Sequence, residues 1–179
     1  MSAALSIDGL ALRGLVWAAG AGTAALVLPA QVYATLPLLV VVGIVVLPLV
    51  PAVVPGSRLV LAFELLVVAG WVVRTAVLPE RPAYLLVVPA LAVLLYLHHS
   101  ASGVAAVVPL DVRFVPGVVR RWLLRLSVPA LATVVLGVPA LLLSDRVGDV
   151  ATVIVPALGV VLAVILAGLL AHAARSLRA

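Results

Sequence analysis

Long apolar stretches follow one another along nearly the whole chain, and they restrict the folds that it can adopt. Hydrophobic residues make up 66% of the 179 residues and charged residues only 9%, with a mean hydropathy of +1.43. Soluble domains are nearer half apolar and about a quarter charged. Because so few polar side chains are left to cover a globule in water, lipid must surround much of the surface. The chain is therefore predicted to be an integral membrane protein.

The apolar sequence divides into six stretches that are candidates for membrane spans. They cover approximately residues 14–28, 36–54, 59–78, 83–97, 127–143 and 150–171. Backbone amides and carbonyls in hydrocarbon must bond within their own segment, so each stretch predicts a helix. We expect one all-α polytopic bundle of about six transmembrane helices, forming a single domain over residues 1–179.

The first stretch has a second interpretation. Arg13, the apolar run after it and the tripeptide Val32-Tyr33-Ala34 are also typical of a secretory signal with its cleavage site. The segment before the run is long for such a signal and contains the acidic Asp8. We therefore expect a retained first span.

The arginines indicate how the chain is oriented. All eleven cationic side chains are arginines, the net charge is +5, and lysine, asparagine and cysteine are absent, a composition typical of a GC-rich bacterial genome. With six spans and a cytoplasmic N-terminus, eight arginines lie on the cytoplasmic side and three on the other, which follows the positive-inside rule. We expect a bacterial inner-membrane protein with both termini in the cytoplasm. The scattered charge favours contact with anionic lipid headgroups and argues against a nucleic-acid partner.

The connector between the fourth and fifth stretches is too apolar for an ordinary loop. The fourth helix can continue through Val108, and Pro116 suits the first position of the next helix. We expect two long helices that project into the cytoplasm over about residues 98–126 and are joined by a short turn. Arg121 and Arg125 lie one turn apart, which places both on one helix face. A surface for contacting a partner protein or lipid headgroups is predicted, the Arg120–Arg125 face, made of Arg120, Arg121, Trp122 and Arg125.

Glu64 is an acidic residue inside a predicted span, where ionisable groups are costly and usually functional. The third and fourth stretches are joined by a tight turn at residues 79–82 and should form an antiparallel hairpin. Reflecting Glu64 through that turn leads to His98, with His99 as the alternative. Adjacent helical residues point about 100° apart, so only one histidine is expected to face Glu64. The intramembrane pair predicts either a buried clasp between helices or a site for proton or cation movement.

The sequence contains no pattern that indicates catalysis or cofactor binding. It has no phosphate-binding glycine loop followed by lysine and no Gly-x-Ser-x-Gly motif, and without cysteine there is no thiolate chemistry. A zinc or di-metal site needs three or four histidine or carboxylate ligands at helical spacing, which the sequence lacks. We expect a protein that is not an enzyme and that has no cofactor or metal.

Small residues recur at a spacing typical of helix packing in the last stretch. The residues spaced four apart are Gly159, Ala163, Ala167 and Ala171. Ala18 and Gly22 have the same spacing in the first stretch. Small side chains let helices approach closely, both within a bundle and between subunits. These residues therefore predict close contact with another helix of the chain or with a partner.

One segment resembles a known group of proteins. The sequences Tyr96-Leu97-His98, Pro109-Leu110-Asp111 and Arg121-Trp122-Leu123-Leu124-Arg125 are similar to small uncharacterised actinobacterial membrane proteins encoded beside MoxR-type ATPases. The likeness covers roughly a quarter of the chain. It implies an accessory role near an envelope-associated chaperone ATPase and carries over no catalytic residue.

The favoured function is an accessory or scaffold subunit that docks a partner protein in the membrane or the cytoplasm. The Arg120–Arg125 face and the small-residue helix faces would make the contacts. The alternative is a small transporter or channel component that uses Glu64 and His98. A lipid-modifying enzyme is disfavoured because polar residues are not clustered in the sequence.

Overall fold

The computed structural model describes residues 6–77 and 84–147, and the regular structure within these ranges is entirely helical. The elements are α1 (Ile7–Val27), α2 (Ala30–Thr35), α3 (Pro37–Val41), a π-helical segment (Val42–Val46), α4 (Leu49–Val53), α5 (Arg58–Val77), α6 (Tyr84–Val107) and α7 (Pro116–Val147). The predicted all-α class is confirmed. By contacts between residues the chain divides into two compact units, Met1–Val134 and Val135–Ala179, and all contacts described below lie in the first.

Three helices within the described ranges are long and apolar enough to cross a membrane. They are α1, α6 from Leu86 and α7 as far as Pro139. Three candidate spans indicate a multi-pass membrane protein, but the predicted count of six is not confirmed. Helix α5 is long enough but carries Arg58, Glu64 and Arg74, and the predicted sixth span, residues 150–171, lies outside the described residues.

The described surface is largely apolar, as expected for a protein surrounded by lipid. On α7, Val128 is 69% exposed and Leu131 is 64% exposed, and large aliphatic side chains of α5 are also exposed. A water-soluble monomer rarely leaves such continuous apolar surface uncovered. The exposed helices therefore support contact with the hydrocarbon of a bilayer.

The second predicted span is an apolar helical stretch that is not regular α-helix along its whole length. It consists of α3, the π-helical segment and α4, which together cover Pro37–Val53. Pro48 lacks an amide hydrogen and occupies the N-cap position of α4, so the regular hydrogen-bond ladder is interrupted before it. Trp17 of α1 donates from Nε1 to the carbonyl of Val45 at 3.0 Å, which satisfies a backbone acceptor within the π-helical segment.

The most extensive packing in the described bundle is between α1 and α6. A Cβ atom at Gly20 would lie 2.9 Å from the Cβ of Pro48 and 3.2 Å from Cδ2 of His98. One at Gly22 would lie 3.1 Å from the side chain of Leu94. These two glycines let α1 approach α6 closely, in the manner of small residues at membrane helix contacts. Gly22 was predicted from its spacing, whereas Gly20 was not singled out.

The N-terminus of α1 is bonded to the connector between α6 and α7. Helix α1 begins at Ile7 rather than at the predicted residue 14 because the Oγ atom of Ser6 accepts a hydrogen bond from the amide of Gly9 at 3.0 Å. The amide of Ser6 donates to Leu110 O at 2.8 Å, and its hydroxyl donates to Val112 O at 2.6 Å. The carboxylate of Asp8 accepts from the amide of Phe114 at 2.8 Å. Asp8 is therefore a structural contact and not the solvated end of a span.

Candidate functional site

Glu64 of α5 lies between two histidines of α6. Its Oε1 atom is 3.0 Å from Nδ1 of His98, and its Oε2 atom is 3.1 Å from Nδ1 of His99. The structure thus brings together the predicted pair of Glu64 and His98. The expectation that only one histidine could face Glu64 was wrong, because each carboxylate oxygen reaches one of the two diverging rings. We call Glu64, His98 and His99 the Glu64 cluster.

The three members of the Glu64 cluster have very different surroundings. His98 is completely buried, Glu64 is 14% exposed and His99 is 70% exposed. The ring of Phe63 lies 5.1 Å from that of His98 in a tilted orientation, and Gly20 of α1 also lies close to the His98 ring. The carboxylate therefore joins an accessible imidazole to one enclosed by α1 and α5.

Two buried polar atoms near this cluster have no hydrogen-bond partner within the described part of the chain. They are Nε2 of His98 and Oγ of Ser102, one helical turn further along α6. A buried polar atom without a partner costs about 1–3 kcal/mol. A neutral His98 that donates from Nδ1 to Glu64 leaves Nε2 as a hydrogen-bond acceptor. The sequence did not point to Ser102, since a single serine on an apolar helix carries no distinguishing signal.

The Glu64 cluster has the groups needed to pass a proton but not the geometry of a metal site. The carboxylate contacts both imidazole rings, so a proton can move from one ring to the other through Glu64. Among the described residues, no group of three or more histidine, cysteine, aspartate or glutamate side chains is arranged to hold a metal ion.

Arg13 links three elements and has a role that charge counting did not reveal. Its Nη1 atom donates to the carbonyls of Ala52 at 3.0 Å and Val53 at 3.1 Å, which end α4. Its Nη2 atom donates to Ala105 O of α6 at 3.2 Å. The guanidinium thus satisfies backbone acceptors at a helix end, where a cation is electrostatically favoured.

The arginines of the Arg120–Arg125 face are exposed, whereas its tryptophan is partly buried. Arg120, Arg121 and Arg125 are exposed, and Arg121 donates from Nε only to Gly117 O of its own helix. Trp122 is partly buried against α1 and α6, and its Nε1 atom donates to Ser100 Oγ at 3.3 Å. Trp122 therefore holds α7 against α6, while the arginines remain accessible.

Some predicted positions fall within the bundle or outside the described residues. On α6, His98, Ala101, Ser102 and Ala105 are buried, so this part of the predicted projection packs against the other helices. The helix-packing residues predicted in the last stretch, which are Gly159, Ala163, Ala167 and Ala171, lie outside the described residues.

Comparison with protein-family models, curated proteins and solved structures finds no match to this chain. Its function must therefore be inferred from its own residues.

Proposed function

We propose that this chain is a non-enzymatic accessory subunit of a bacterial inner membrane that docks a partner protein through the Arg120–Arg125 face. The observation that carries the proposal is the exposure of Arg120, Arg121 and Arg125 near the start of α7. Among the described residues, no carboxylate lies within ion-pair distance of these three side chains. Exposed guanidinium groups without an internal carboxylate partner favour an acidic partner surface.

A few contacts attach the start of α7, which carries the Arg120–Arg125 face, to the rest of the first unit. Trp122 bonds to Ser100 of α6, and Leu126 is buried. The connector before α7 is bonded to Ser6 and Asp8 of α1. These contacts fix the start of α7, so less backbone freedom there has to be lost when a partner binds.

The membrane arrangement proposed with this function has about six spans and both termini in the cytoplasm. Within the described residues, contacts join the N-terminal segment to the connector before α7 and to the end of α4, because Ser6 contacts Leu110 and Arg13 contacts Ala52 and Ala105. The small residues of the last predicted span would pack against a further helix. The resemblance to small actinobacterial membrane proteins makes a MoxR-type ATPase the first partner to test.

Charge reversal at Arg121 and Arg125 is expected to release the partner. The variant carrying Arg121→Glu and Arg125→Glu should recover the tagged candidate ATPase from gently solubilised membranes at least roughly tenfold less well, because two charge-assisted contacts are lost. The matched control carries Arg58→Glu and Arg113→Glu, which are also exposed arginines predicted to be cytoplasmic. Equal recovery with both double variants would contradict docking at the Arg120–Arg125 face.

A small transporter or channel component is the second candidate, favoured by the Glu64 cluster. The cluster joins the exposed ring of His99 to the buried ring of His98 through one carboxylate. Ionisable groups inside membrane proteins commonly mark proton or ion routes.

Replacing Glu64 with glutamine tests this second candidate. Glutamine keeps the shape and the hydrogen-bonding capacity but cannot exchange a proton, so proton flux into proteoliposomes should fall to the level of empty vesicles. Flux is measured with an entrapped pH-sensitive dye. Asp111→Asn, the same chemical change at an exposed carboxylate, is the control and should leave flux unchanged. Flux that survives Glu64→Gln rules out the transporter function.

A further inference from the structure

A groove with a volume of about 400 Å³ runs beside Arg13 between α1 and α4. This size falls within the roughly 300–1,000 Å³ of typical small-molecule sites. Its α1 wall is a stripe at helical spacing, made of Leu10, Arg13, Gly14 and Trp17. Leu49 and Val53 of α4 form much of the opposite wall. We call it the Arg13 groove.

The walls of the Arg13 groove are apolar and accessible. Leu10 is 50% exposed, and Leu49 and Val53 are also exposed. Gly14 adds to the open space, because a Cβ atom placed there would meet nothing within 4 Å. Hydrocarbon is the ligand that such walls favour.

Arg13 gives the groove a positive charge. Among the residues that the structure describes, no carboxylate lies within ion-pair distance of its guanidinium. Its three hydrogen bonds to carbonyls leave two of the five guanidinium N–H groups for another acceptor. An anionic oxygen is the complement that this residual charge favours.

The order of these features along α1 matches the order of groups in a phospholipid. Arg13 is the seventh residue of α1 and so lies roughly 9 Å below its start at ~1.5 Å per residue. Trp17 lies one turn deeper, and an indole ring is typical of the zone between headgroups and acyl chains. The predicted cytoplasmic end of α1 also faces the leaflet that is richer in anionic lipid.

From the charge and the apolar walls together we infer that the Arg13 groove binds one anionic phospholipid. Its phosphate accepts hydrogen bonds from Arg13, and one acyl chain lies between Trp17 and Leu49. This site is separate from the Arg120–Arg125 face and does not depend on partner docking.

Native mass spectrometry of the delipidated protein tests the inference. The probes are phosphatidylglycerol and phosphatidylcholine with identical acyl chains, together with inorganic phosphate. The wild type should retain one phosphatidylglycerol about tenfold more strongly than phosphatidylcholine, because the choline cation of phosphatidylcholine offsets the phosphate charge that Arg13 attracts. Inorganic phosphate should not displace the lipid.

Gly14→Leu fills the groove and is the decisive variant. It should lower retention of phosphatidylglycerol by about tenfold or more, since the acyl chain loses its place. Because the new side chain meets no atom at its Cβ, the helix content measured by circular dichroism should not change. Gly103→Leu is the matched control, as its Cβ also meets nothing within 4 Å, and it should retain the lipid. Arg13→Gln should abolish the preference for phosphatidylglycerol.

Three results would overturn the inference. The first is equal retention of phosphatidylglycerol by Gly14→Leu and Gly103→Leu. The second is displacement of the lipid by inorganic phosphate alone, which would indicate a simple anion site. The third is loss of a dimer rather than of a lipid in Gly14→Leu, which would make the groove a contact between copies of the chain.

Discussion

Replacing Glu64 with alanine is expected to destabilise the detergent-solubilised protein by about 2–3 kcal/mol, because it leaves a buried imidazole without its partner. His98 is completely buried and bonds only to Glu64 through Nδ1, while its Nε2 atom already has no hydrogen-bond partner within the described residues. Removing the carboxylate would leave both ring nitrogens of His98 without a hydrogen-bond partner. The measurement is thermal or denaturant unfolding followed by circular dichroism.

His99→Gln separates this effect from a general disturbance of the cluster. The His99 ring is 70% exposed, so water can replace the contact with Glu64 and the change should stay within about 0.5 kcal/mol. Glu64→Gln should fall between the two because the amide retains a hydrogen bond to His98. Equal destabilisation by Glu64→Ala and His99→Gln would mean that the buried contact does not stabilise the hairpin of α5 and α6.

Gly9→Ala is expected to separate α1 from the connector between α6 and α7. A Cβ atom at Gly9 would lie 2.6 Å from Leu110 O and 3.0 Å from the carbonyl carbon and Cα of Leu110, which are backbone atoms that cannot rotate away. Displacing the connector would break the bonds that Ser6 and Asp8 make to it. Strain and lost hydrogen bonds outweigh the better helix propensity of alanine, so the expected cost is about 2–3 kcal/mol.

Gly14→Ala is the matched control on the same helix. Its Cβ atom would meet nothing within 4 Å, so only the propensity gain of up to about 1 kcal/mol remains and the protein should be unchanged or more stable. Hydrogen exchange at the amide of Phe114, which bonds to Asp8, should accelerate in Gly9→Ala and not in Gly14→Ala. Similar stability and similar exchange rates in both variants would contradict a stabilising role for the hydrogen bonds between α1 and the connector.

The pairing of Glu64 with His98 could be predicted because two local signals coincide. A carboxylate in an apolar helix requires a polar partner, and a tight turn limits which residues of the next helix reach the same depth. The same reasoning allowed only one of the two histidines to face Glu64, since it treated the carboxylate as a point. Glu64 instead presents two oxygens to two rings.

Other contacts in the described part of the chain could not be predicted from the sequence. From the sequence, Arg13 served only to assign the orientation of the chain in the membrane. Its hydrogen bonds depend on where α4 ends and on how α6 packs against α1, which the sequence does not reveal. Ser6 and Asp8 bond to residues more than 100 positions away along the chain. Gly20 is one of many small residues in an apolar run, and only its approach to His98 distinguishes it.

The solvent and the type of regular structure followed from the sequence alone. Composition indicated lipid as the main surroundings, and the need to satisfy backbone groups within each segment then predicted helices. Only the tertiary structure decided which polar atoms meet. Helix rotation, the break before Pro48 and the path of the connector determine those contacts. They depend on packing between distant residues, whose free-energy differences of a few kcal/mol leave no periodic trace in the sequence.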